Sequence, residues 1–188
     1  FDLDLMIRNG QVTYYTGKVT LVAGDIHIRK MNQDNAAATF GFTTDSGTYY
    51  PGSLVETLRP RSILLHDLHD NEARNHHHVH DNAYSYEMAI RDRESVFEEV
   101  KEGVEFLKLL QQQTKADVVV VESNHDLALE RYVREGRYRN DGINIKYGLQ
   151  LELAYLGWRE EVAQHLDAGL APPSFSLLEH AMRDIAGE

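Results

Sequence analysis

Six of the ten histidines in this 188-residue chain, His66, His69, His76, His77, His78 and His80, fall within fifteen positions, and the groups around them are of the metal-ligating kind. Asp25-Ile26-His27 sets a carboxylate and an imidazole two positions apart. At a strand end, side chains i and i+2 point to the same side and can share one cation. Alone, the pair fits a surface turn with a satisfied histidine equally well. Asp67 stands in the same relation to a second apolar run. Asn124-His125-Asp126 follows a third and is more specific. A neutral amide oxygen, an imidazole and a carboxylate in succession offer a metal ligand, an acid and a group to orient the acid. The chain has no cysteine, so any metal sits on nitrogen and oxygen. Such ligands suit Mn²⁺, Mg²⁺, Fe²⁺ or Zn²⁺ without choosing among them.

Short apolar runs must deliver these groups. Val19 to Ala23 stops at Gly24-Asp25, Ser62 to His66 stops at Asp67, and Asp117 to Val121 runs into Glu122-Ser123-Asn124-His125-Asp126. Each reads as a buried strand. Between the second and third, Arg93 to Gln113 carries Val96, Val100, Val104, Leu107 and Leu110 in steps of three and four, which predicts an amphipathic helix. Strand, helix, strand implies a parallel pair with a right-handed crossover. Ligands of open α/β sheets gather beyond the carboxyl ends of the strands, so the polar groups are expected at one edge. Met31 to Gly52 reads as a long loop or weak hairpin, and Glu72 to Asn82 as an excursion too polar for the core. Helices are expected over Leu127 to Glu135 and Leu149 to Leu166, and after Pro172-Pro173 Ser174 can cap a last one carrying Phe175, Leu178, Met182 and Ile185 on one face.

Asp-x-His, an aspartate 42 positions beyond Asp25, and Asn-His-Asp 57 positions beyond that resemble the calcineurin-like metallophosphoesterase superfamily. The resemblance implies an α/β fold, a layered sandwich of β-sheets flanked by helices, here incomplete at its C-terminal end. It makes Asp25 and His27 ligands of one metal, Asp67 the bridge to a second, Asn124 a ligand of that second, and His125 the acid oriented by Asp126. Two divalent ions, Mn²⁺ foremost, would then polarise a phosphoryl group and activate water. The second and third motifs read His66-Asp67-Leu68-His69-Asp70 and Ser123-Asn124-His125-Asp126, with His66 and Ser123 where the family has glycine. The family's later Gly-His-x-His is missing, since only His165 and His180 follow His125. Together with Phe1 at the start, this gives the expectation of one domain, residues 1–188, that is a fragment of a longer chain. Within the superfamily, Ala73-Arg74-Asn75-His76-His77 and Ser123-Asn124-His125-Asp126 resemble phage-encoded DNA-degrading phosphoesterases.

The substrate is read from charge. Residues 127–150 carry +2 in a chain of −11, with Arg131, Arg134 and Arg137 interleaved by Tyr132 and Tyr138. That segment can grip the phosphate backbone of DNA and stack a base, or pair with the acidic helix that precedes it. His76-His77-His78-x-His80 is either a metal-binding or phosphate-contacting loop or a solvated one. The expected activity is a two-metal DNase, with a phosphatase of small phosphoesters or nucleotides, or a non-catalytic metal-binding assembly protein, as alternatives. No run approaches the roughly 20 apolar residues of a membrane span. The lack of cysteine fits a reducing compartment, and a cytoplasmic protein is expected, host-cytoplasmic if phage-encoded, with a homo-oligomer left open.

Overall fold

The computed structural model describes residues 5–8, 11–14, 19–78 and 80–187. In chain order its strands are β1 (Leu5–Arg8), β2 (Gln11–Tyr14), β3 (Thr20–Ala23), β4 (Ser62–Leu65) and β5 (Asp117–Val120). Its α-helices are α1 (Gln33–Phe40), α2 (Leu54–Leu58), α3 (Asn82–Ile90), α4 (Val96–Gln113), α5 (Ala128–Arg134), α6 (Ile145–Asp167) and α7 (Leu177–Ala186). The protein is mixed α/β with a small parallel sheet, and its residues group into two compact units, Phe1–Leu68 with Glu105–Val121 and His69–Val104 with Glu122–Glu188.

The first unit holds an antiparallel β1–β2 pair and a parallel sheet in the order β3-β4-β5. Leu21, Ile63 and Val118 form one cross-strand row, and Val22, Leu64 and Val119 the next, so the period-two alternation sends the rows to opposite faces. The inner face is core: Ile63 and Leu65 are fully buried. Phe106, from the second half of α4, lies edge-on to Phe40 at 5.3 Å and tilted to Phe42 at 5.6 Å. The outer face is open among the described residues, with Val22 54% and Val119 44% exposed.

In the second unit, Leu129, Tyr132 and Val133 of α5, Leu151 of α6 and Leu177, Leu178 and Met182 of α7 are buried. Gly148 on α6 lies against Tyr138, which is fully buried. The Tyr138 hydroxyl donates to Glu152.

Three expectations are corrected. Residues 33–40 form a helix rather than loop or hairpin: the Asn32 side chain accepts from Asn35 N at its start, and Gly41 ends it at φ 87°. The caps supply what the weakly patterned Gln33–Phe40 sequence does not. The excursion after Glu72 is partly core, since Glu72 and Ala73 are buried, for reasons given below. The last helix is capped by Ser176 rather than Ser174: Ser176 Oγ accepts from Glu179 N, as a Ser-x-x-Glu start favours, and Phe175 instead stacks on Trp158 at 5.4 Å. Among the described residues no helix is long and apolar enough to cross a membrane.

Candidate functional site

In the first unit the β3–β4 pairing continues past the strand ends. His66 N donates to Ala23 O, Ile26 N to His66 O, and His27 N to Asp67 O at 2.8 Å. This brings the loops that carry Asp25, His27 and Asp67 side by side. All three residues are in the left-handed region, at φ 51°, 42° and 55°. Non-glycine residues are uncommon there, and backbone held in such regions clusters at functional sites. Asp25 is exposed and its Oδ1 lies 3.8 Å from His27 Nε2, so the two face each other across space that a cation can share. Asp67 is buried, with Oδ2 2.6 Å from His66 Nδ1. A Cβ at Gly24 would overlap the His66 ring. His66 thus fits because a glycine stands opposite it on the neighbouring loop. A cleft of about 400 Å³ opens beside this loop, between Asp25 and His27 on one side and α1 on the other.

The second unit carries the imidazole–carboxylate pair. His125 Nδ1 and Asp70 Oδ1 are 2.8 Å apart, Asp70 being 7% exposed and His125 48%. Here the structure corrects the sequence reading: the carboxylate that orients His125 is Asp70, not Asp126. Asp126 is 1% exposed and accepts from His69 N (2.9 Å) through Oδ1 and from Ser123 N and Oγ through Oδ2. It joins the two loops that present Asp70 and His125. Ser123 uses its hydroxyl to accept from His125 N and Asp126 N, closing the turn that exposes Asn124. The signal for Asp70 was present in the Asp67-x-x-Asp70 spacing.

Glu99 explains the burial of the polar segment after Asp70. Its carboxylate, 4% exposed, accepts from Glu72 N (2.7 Å) and Ala73 N (2.8 Å), satisfying the orphan donors of the turn Glu72–Arg74, and lies 3.6 Å from His69 Nδ1. Arg74 then forks onto Asp141, Nε to Oδ2 at 2.5 Å and Nη2 to Oδ1 at 3.0 Å. Burial by itself would raise the Asp141 carboxyl, but hydrogen bonds from Arg74 and Asn144 and the Arg74 charge outweigh it and hold it below its usual value. A depressed folded value means that the pair contributes fully above the ordinary carboxylate range, and that this contribution is lost as pH falls through the folded value. Asp141→Asn is therefore expected to flatten the acid limb of stability against pH. At neutral pH the variant should cost about 1–3 kcal/mol, below the 3–5 of a fully buried pair because Arg74 keeps 24% of its side chain in water. Thermal unfolding from neutral into acid pH measures both, and an unchanged acid limb would show that the pair does not act this way.

The arginines read as substrate contacts are placed differently from one another. Arg131 is exposed and donates to His76 Nε2 at 3.0 Å. Arg134 is exposed and pairs with Glu130. Arg137 is only 15% exposed, donates to Arg74 O, pairs with Glu135 and lies over the Tyr132 ring. His76 and His77 stack at 3.8 Å; burial first, then the charges of His77, Arg131 and Arg137, hold the His76 imidazole below its usual pKa. His78 stacks on Tyr84.

No family model matches the chain, and no solved structure matches it. It is similar to "Protein A1" of Escherichia phage T5, at 30% identity over 175 residues, which are 92% of this chain and 29% of the phage protein. The chain thus spans 29% of the length of that relative.

Proposed function

We propose that this chain carries a metal-dependent phosphodiesterase site that hydrolyses DNA, as the metallophosphoesterase resemblance implies. What supports the reading most is the left-handed backbone at Asp25, His27 and Asp67, the three ligand-type residues at adjoining strand ends. The accompanying fold is the metallophosphatase sandwich. The open row Val22, Leu64, Val119 is where its second layer would lie, since parallel sheets are ordinarily covered on both faces.

The donors fit hard divalent ions: carboxylates of Asp25 and Asp67, the imidazole of His27 and, by the resemblance, the amide oxygen of Asn124. Mn²⁺ is the first choice, with Mg²⁺, Fe²⁺ or Zn²⁺ as alternatives. Bound in a pair, such ions supply charge that polarises a phosphoryl oxygen and lowers the pKa of water. With Nδ1 committed to Asp70, His125 carries the catalytic proton on Nε2 and gives it to the departing oxygen.

Hydrolysis of linear DNA and of bis-p-nitrophenyl phosphate with Mn²⁺ or with EDTA is the test. Metal-dependent cleavage of both is expected, and inertness of both would end the reading. Asp67→Asn is expected to lower the content of both ions, because by the resemblance its carboxylate would serve each of them, whereas His125→Ala should keep its metal. Elemental analysis of the two variants decides; metal lost from His125→Ala would make that residue a ligand rather than the acid.

A second reading, hydrolysis of nucleotides or other small phosphoesters, is favoured by the engagement of Arg134 with Glu130 and the burial of Arg137, which leave less cationic surface for a polymer.

A further inference from the structure

The cleft beside Asp25 and His27 has two kinds of lining. Its floor is apolar and buried, made by Ile26, Ala36 and Phe40, at 5%, 1% and 4% exposure. Its rim is neutral and polar, with Asn35 and Thr39 one turn apart on α1 and Asn32 at its N-cap, and Lys30 adds a cation. The α1 wall is fixed in advance. Gln33 Oε1 accepts from Thr44 N at 2.8 Å and Oγ1 at 3.0 Å, the Asn32 side chain caps the helix, and Gly41 closes it. A volume of about 400 Å³ lies in the range of small-molecule sites, which combine an apolar body with a few convergent polar groups. Asp25 and His27 also line the cleft.

We propose that this cleft is a nucleoside subsite, receiving the sugar and base next to the phosphate held at the strand ends, with Asn35 and Thr39 meeting the polar edges. The placing of the phosphate rests on the phosphodiesterase reading above. A flat, mostly apolar body with hydrogen-bonding edges suits the buried floor and amide rim, and Lys30 complements the phosphate charge. Asn35 is exposed and its side chain lies on the cleft rim, so changing it tests the site without emptying the core.

Equilibrium binding of deoxynucleoside 5′-monophosphates and of inorganic phosphate is to be measured with Mg²⁺ present, on wild type, Asn35→Ala, Asn35→Asp and Thr39→Val, each checked by its melting curve. Wild type is expected to bind a nucleotide about tenfold or more tighter than phosphate, a difference of about 1.4 kcal/mol. The rim variants should bring that ratio towards one, because each removes a hydrogen-bonding group that only the nucleoside meets. A merely structural defect would weaken both ligands together. A wild-type ratio near one, or a ratio the rim variants leave unchanged, overturns the subsite. A ratio that responds as expected in a protein that does not cleave DNA keeps the subsite and removes the phosphodiesterase reading. DNA cleavage with a ratio near one does the reverse.

Discussion

Asp70→Asn is expected, under the phosphodiesterase proposal, to lower turnover on DNA by roughly 10²- to 10⁴-fold, the range for loss of an oriented general acid. Asp70 Oδ1 sits 2.8 Å from His125 Nδ1 and, at 7% exposure, holds the imidazole in one orientation with little competition from water. His125→Ala should fall in the same range, and the double variant should be little worse than either, because the two act as one unit. The leaving group separates catalysis from structure. A DNA alkoxide needs the proton, whereas p-nitrophenolate leaves without it, so bis-p-nitrophenyl phosphate should suffer much less than DNA. Equal losses on both substrates would mean that Asp70 supports the fold or the metal. Asp126→Asn should differ in kind. Asp126 is 1% exposed and accepts from His69 N, Ser123 N and Ser123 Oγ, so its main loss should be in melting temperature.

Gly148→Ala is expected to destabilise the second unit by about 1–3 kcal/mol, although alanine is the better helix former by about 1 kcal/mol. The added Cβ would overlap Cβ and Cγ of Tyr138, the root of that side chain, so a rotamer change cannot relieve it. The turn Arg137–Asn140 would have to move, and with it the Tyr138 contacts to Glu152 and Arg139. Urea unfolding measures the loss. Combining Gly148→Ala with Tyr138→Gly should cost no more than Tyr138→Gly alone, because both the Cβ and the Cγ that the new methyl would meet are then gone. A neutral or stabilising Gly148→Ala would show that the close approach of α6 is not required.

The sequence by itself determined the parallel strands, the helix between the second and third, and the residues they release. Val19–Ala23, Ser62–His66 and Asp117–Val121 each end within about a residue of the observed strand, because a short β-branched run between polar stops admits few other readings. The steps of three and four through Val96, Val100, Val104, Leu107 and Leu110 likewise required α4. The helix over residues 33–40 was not legible, since its stability comes from caps and from packing Ala36 and Phe40 rather than from periodicity. Partners distant in sequence belonged to the tertiary structure alone. Asp70 reaches His125 across 55 positions while Asp126, its chain neighbour, turns inward to His69 N. Local order had favoured the adjacent carboxylate, but Asp126 is drawn to the backbone donors of two loops that burial leaves without water. The same holds for Arg137, an exposed phosphate contact by composition, which folding places under Arg74 O and over Tyr132. Charge and spacing state which groups can do chemistry; which of them face a ligand and which hold the backbone is decided only when buried donors and acceptors have all been paired.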